Sequence, residues 1–178
     1  IWVANATAHV YDSEFTHNSG GTAAGVHAYP DAELYMYNSV VAHNKGRSFG
    51  PGVYVRQNSK AVLVNMVIYG NSSTGQHGGG VMMYNHDEVL IVNSTITANK
   101  ANGSGGGVMK QSNNNQLTIY NSVISGNEQA SGTDIGENDN GPAPSYYSSV
   151  IAGEVYDQNQ SLIADAVFSP ASMISNPQ

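Results

Sequence analysis

The side chains able to do chemistry are few and scattered along the chain. Acids occur at Asp31 and Glu33, at Asp87 and Glu88, and in a late group at Glu128, Asp134, Glu137 and Asp139. A glycosidase needs two carboxylates facing one bond, about 5 Å apart for retention and roughly 6.5–9.5 Å for inversion. A lyase acting on acidic sugars needs carboxylates that hold Ca2+ and an Arg or Lys that removes a proton. Arg56 and Lys110 are the basic candidates for that role, and their positions do not bring them together. The acids fall in segments that read as turns, so solvated turn charges are expected. The 134–139 loop is the one place for a Ca2+ site, and it has no recognised calcium-loop spacing. His17 and His43 would stack one layer apart, but a metal centre needs a third ligand at matching spacing. No phosphate loop, nucleophile elbow or zinc motif occurs. No catalytic residue, metal or cofactor is therefore expected.

Composition narrows the class further. Charged residues make up 11% of the 178 residues, well below the roughly 25% of ordinary globular chains. The net charge is −7 with six Lys and Arg, too few for a stripe that tracks phosphates, so no nucleic-acid partner is expected. Cysteine is absent, so disulfides play no part. No run of 18 apolar residues occurs, so no helical membrane span is expected. The chain opens at Ile1 in mid-pattern without Met or a signal peptide, which reads as a mature or excised piece of something longer.

The elements that must position these side chains come from an internal repeat. Val26, Val53, Val81 and Val108 are 27, 28 and 27 residues apart. Asn38, Asn65, Asn93 and Asn121 follow at 27, 28 and 28, and Asn18, Asn44, Asn71, Asn99 and Asn127 at 26, 27, 28 and 28. Weaker copies precede and follow, at Val10-Tyr11-Asp12-Ser13 and around Ile135 and Ser148. Each copy reads as three short extended runs joined by Gly, Asn and Ser turns. Alternation points Leu34 and Met36, Ala61 and Leu63, Val89 and Ile91, and Leu117 and Ile119 into a core. One such unit cannot bury its apolar face alone; stacked at about 4.8 Å per layer, the copies make a continuous core. The expected fold is an all-β, right-handed parallel β-helix of three strands per coil and five to six coils. It covers residues 1–155, and 156–178 form an irregular tail or cap of the same domain. Asn18, Asn44, Asn71, Asn99 and Asn127 are expected to form a stacked, hydrogen-bonded ladder. Lys110 falls at an inward position opposite Met83 and Val55, which is anomalous. Among the Asn-x-Ser/Thr sites at Asn5, Asn71, Asn93, Asn102 and Asn159, the Asn71 and Asn93 matches are read as structural.

The pattern Gly-Gly-Val, then apolar-x-apolar-x-Asn-Ser-x-Ile, then x-x-Asn, resembles the right-handed β-helix repeats of bacterial surface proteins. These are the polymorphic outer-membrane-protein and choice-of-anchor types. Ser131-Gly132-Thr133-Asp134-Ile135 and Tyr147-Ser148-Ser149-Val150-Ile151 are similar to how such domains finish their last coil. The resemblance covers about residues 8 to 155. It implies an adhesin or passenger-type surface module. The wider superfamily also holds polysaccharide-cleaving enzymes, whose chemistry does not transfer by fold alone.

The outward positions are unusual for a solvated sheet. His27, Tyr54, Met82 and Met109 form one outward column, and Tyr29, Arg56, Tyr84 and Gln111 the next. Tyr35, Tyr37 and Tyr120 face out from the middle run. Exposed stacked rings suggest a contact surface for a glycan or for another protein chain, end-to-end self-association included. The expected function is a non-enzymatic extracellular or cell-surface module, an adhesin, stalk or fibre subunit. A polysaccharide-binding or polysaccharide-cleaving protein is the alternative.

Overall fold

Every coil of the chain lies in register on the one before it. The computed structural model describes residues 1–75, 77–130, 134–151, 154–156 and 162–165. The strands gather into four parallel walls. Wall one holds Trp2–Val3, Val26–Ala28, Val53–Arg56, Val81–Tyr84, Val108–Ser112 and Ile135–Asp139. Wall two holds Thr7–Tyr11, Glu33–Tyr37, Lys60–Val64, Glu88–Val92, Gln116–Tyr120 and Ser145–Tyr147. Wall three runs from Glu14–Thr16 through Val40–Ala42, Val67–Tyr69, Thr95–Thr97 and Val123–Ile124 to Ser149–Ile151. Wall four consists of two-residue strands at Ser19–Gly20, Lys45–Gly46, Ser72–Ser73, Lys100–Ala101 and Glu128–Gln129. A coil therefore has four strands rather than three; the fourth is too short to show a period of two. About five turns are stacked.

The inward alternation holds throughout. Leu34, Met36, Ala61, Leu63, Val89, Ile91, Leu117 and Ile119 are all buried, and they stack in register across wall two. Wall three adds Val41, Ile68, Ile96 and Ile124 to the same core. After Ser149–Ile151 the chain turns back: Glu154–Tyr156 and Leu162–Asp165 pair antiparallel on the edge of wall three. Part of the expected tail is thus an ordered hairpin. Residues 157–161, with Asn159, and 166–178 lie outside the described residues.

The corner asparagines carry out the expected ladder. Asn18, Asn44, Asn71 and Asn99 each donate their side-chain amide and their backbone N–H to the Oδ1 of the asparagine one coil on, at 2.9–3.0 Å. The amides of Asn44, Asn71, Asn99 and Asn127 also donate to the carbonyls of Phe15, Val41, Ile68 and Ile96. Buried corner groups are thereby paired, which is what makes a buried turn tolerable. The last rung is a substitution of type: Asn127 donates both its backbone N–H and its amide to Asp134.

A second corner carries a less uniform ladder. Ala32 donates its N–H to Ser59 Oγ, Ser59 to Asp87 Oδ1, Asp87 to Asn115 Oδ1, and Asn115 to Asp139 Oδ2. Asp87 is 1% exposed, so it is no solvated turn charge. The hydrogen bonds between coils place it in a column of buried acceptors, where a carboxylate oxygen replaces the hydroxyl of Ser59. A third ladder runs through the serines after the other corner, from Ser13 on Ser39, and from Met66, Ser94 and Ser122 on Ser94, Ser122 and Ser149.

Candidate functional site: the outer face of wall one

The outward columns of wall one assemble in the expected register. His27 pairs with Tyr54, Tyr54 with Met82, and Met82 with Met109; Arg56, Tyr84 and Gln111 align beside them. Their environment differs from expectation. Tyr54, Met82 and Met109 are buried, in a second apolar cluster outside the sheet. The cover comes from the loops that lead from wall four into wall one. Those loops absorb the length variation of the first three repeats, since Val26, Val53, Val81 and Val108 lie 8, 9, 10 and 9 residues after their ladder asparagines; in the fourth the extra residue falls between Val108 and Asn127. Phe49 and His77 on them stack at 6.4 Å, and Phe49 leans on Tyr54 and Tyr84. Tyr54 is thus an anchor of a minor core rather than an exposed binding residue. Burial pushes its hydroxyl up to about 12.

What remains at the surface is a strip that runs from the exposed Trp2 over the half-buried His27 and Tyr29 and leans on the buried Tyr54. Trp2, His27 and Tyr54 stack along the helix axis with centroids 5.9 and 5.1 Å apart, and Tyr29 lies beside His27 at 5.5 Å. The Arg56 guanidinium sits 4.2 Å from the Tyr29 ring centre and 5.9 Å from that of Tyr84. Cation–π contact replaces a carboxylate partner here. Among the described residues, three buried polar atoms on this face have no hydrogen-bond partner: His27 Nε2, Arg56 Nε and Gln111 Oε1. Burial, the Arg56 charge and the chain's amino terminus lower the His27 imidazole to about 4, so it is neutral at pH 7. An open pit of about 500 Å3 at the first coil is lined by Trp2, Thr22, His27 and Tyr29 among others.

The remaining sites of expectation resolve differently. Tyr35 and Tyr37 on wall two are half-buried, and Tyr120 is exposed; Tyr37 stacks on Tyr11 at 5.0 Å and Tyr120 on Tyr147 at 4.4 Å. These rings extend a wall whose middle is aliphatic, at Val62, Val64, Leu90 and Val92. The wall-one and wall-two rings therefore form two separate faces. His17 and His43 do stack, at 5.0 Å, and no group of three metal-binding side chains occurs among the described residues. The 134–139 segment is not a loop. Ile135–Asp139 is a strand of wall one, and its acids face Lys110. Lys110 points inward as expected and is fully buried. Its partners, Glu137, Asp139 and the Pro142 carbonyl, come from the following coil. The sequence signal for this cluster was present in the anomaly at Lys110 and in the late group of acids. What was missing was the register that joins them.

With the coils and ladders in place, comparison with known proteins adds one result. The family model of the right-handed β-helix region matches residues 1–150. The chain belongs to that family. No curated protein and no solved structure gives a match.

Proposed function

We propose that this right-handed β-helix chain is a non-enzymatic extracellular or cell-surface module, serving as an adhesin, a stalk or a structural subunit of a surface fibre. The observation that carries this reading is what its buried ionisable groups bond to. Asp87 accepts the backbone N–H groups of Ser59 and Tyr84, and Asp134 terminates the asparagine ladder. Asp139 holds Asn115 and Lys110. Each joins one coil to the next, as a rigid spacer requires. The test is incubation of the purified chain with pectin, polygalacturonate and alginate, following unsaturated and reducing ends. No release is expected. Depolymerisation that is lost on Arg56→Ala would overturn the reading.

The strip on wall one supports a second reading, polysaccharide binding. Stacked rings beside unpartnered polar atoms suit a hydroxylated ligand. Glycan-array binding that disappears in Tyr29→Ala and Tyr84→Ala favours it, and binding unaffected by both favours the plain scaffold. Tyr54 is unsuitable for that test because its ring supports the second core.

A further inference from the structure

Wall one's inward column runs Val3, Ala28, Val55 and Met83, and then, at Lys110 and Glu137, becomes ionic. The Lys110 side chain is 0% exposed. Its Nζ donates to the Pro142 carbonyl and has Glu137 Oε2 and Asp139 Oδ1 each at 3.5 Å. The Asp139 side chain is 1% exposed. Its Oδ2 receives the Asn115 backbone N–H at 3.2 Å and the Asn115 amide at 3.0 Å; its Oδ1 receives the Gly141 N–H at 3.3 Å. Three fixed donors around one carboxyl group are the arrangement that stabilises a tetrahedral oxyanion. Glu137, with its side chain 44% exposed, flanks the amine and has a route to water.

We propose that Lys110 and Asp139 become joined by an amide bond between Lys110 Nζ and Asp139 Cγ, tying the fifth strand of wall one to the sixth. The Glu137 carboxylate takes one proton from the Lys110 ammonium, freeing the nitrogen lone pair. The lone pair attacks Cγ, and the negative charge on the carboxyl oxygens rests on the Asn115 and Gly141 donors. Glu137 passes its proton to the departing oxygen, then relays a second from nitrogen. The C–O bond breaks, one water leaves, and Glu137 ends ionised as it began. Ammonium plus carboxylate gives amide plus water, so no oxidant or activating group is needed. Burial in fixed mutual contact supplies the effective concentration that an ordinary lysine and aspartate lack. The product ties positions 29 residues apart, across the coil boundary where the inward column turns polar. This goes beyond the scaffold reading and stands or falls separately from it.

The test is the intact mass of the full chain, purified and fully denatured. A mass about 18 Da below that of the sequence is expected, with tandem spectra of a digest showing one branched peptide that joins Lys110 to Asp139. Lys110→Arg and Asp139→Ala should restore the full mass. Glu137→Gln, which keeps the side-chain shape at a half-exposed site, should slow or abolish the loss while the circular dichroism stays native. A wild-type mass equal to that of the sequence overturns the proposal. So does a water loss that maps to a succinimide at Asp139 with a linear peptide. Either result leaves the depolymerisation test untouched.

Discussion

Asp87 shows how a single charged side chain is put to structural use. Its Oδ1 accepts the Ser59 N–H at 3.0 Å and its Oδ2 the Tyr84 N–H at 2.7 Å. Burial nevertheless pushes its carboxyl up to about 7, against those two bonds and the nearby Arg56 charge. A carboxyl with a raised folded pKa binds more protons folded than unfolded between about 4 and 7. Its favourable contribution is complete below about 4 and is lost as pH rises through 7. The urea midpoint of the wild type should therefore fall across that window relative to Asp87→Asn, and parallel curves would contradict this. The asparagine ladder gives a sharper contrast between neighbours in type. Asn71→Ala removes the one oxygen that accepts both the Asn44 amide and the Asn44 backbone N–H, takes the amide donor from the Val41 carbonyl, and leaves Asn99 Oδ1 with the backbone N–H alone, all in a buried corner. At ~1–3 kcal/mol per orphaned group, a loss on the order of 3–5 kcal/mol in chemical denaturation is expected. Asn65→Ala, at an exposed corner with one amide bond to Asn38, should lose only about 1 kcal/mol. The ladder was legible in sequence because asparagine recurs there five times. The Asp87 column was not, since Ala32, Ser59, Asp87 and Asn115 share an acceptor role but no residue type.

At the scale of the strand and its turn, the corners are set by backbone conformation. The position before each ladder asparagine is left-handed at His17, His43, Gly70, Ala98 and Gly126, with φ between 52° and 71°. Alanine is the costly occupant, because its Cβ crowds the carbonyl in that region. Ala98→Gly should stabilise the chain by about 1 kcal/mol, read as a shift of the urea midpoint at constant slope. The opposite change is severe at Gly52, for a different reason. A Cβ there would lie 2.2 Å from the Gly80 carbonyl oxygen of the next coil. Gly52→Ala should destabilise by more than about 2 kcal/mol, since backbone must move to admit it. Five-residue strands such as Lys60–Val64 announce themselves by alternation, whereas the two-residue strands of wall four carry no period. The outer rings of wall one were legible as a column. Their burial depended on where the Phe49 and His77 loops fold, and loops of varying length leave no periodic mark.

For the whole molecule, the repeat means that each coil bonds only to the coils on either side. Stability then follows a nearly one-dimensional pattern, with nearest-neighbour terms that are complete in the middle and halved at an end. The middle coils have both partners: the Asn71 rung bonds Asn44 before it and Asn99 after it, at 0% exposure throughout. Within residues 1–178 the coil of Trp2 to Gly20 stacks on one other, and its Asn18, Tyr11 and Trp2 are exposed there. Hydrogen exchange should therefore be slowest in peptides covering 60–72 and 88–100 and should quicken toward 2–20, with the rates graded by coil. Protection along wall three should persist to 149–151, because the antiparallel hairpin of Glu154–Tyr156 and Leu162–Asp165 pairs its last parallel strand. A uniform rate across all coils would mean that the solenoid opens only as one unit. That outcome would require coupling longer in range than stacking and the ladders provide, so the exchange gradient measures directly how far one coil supports the next.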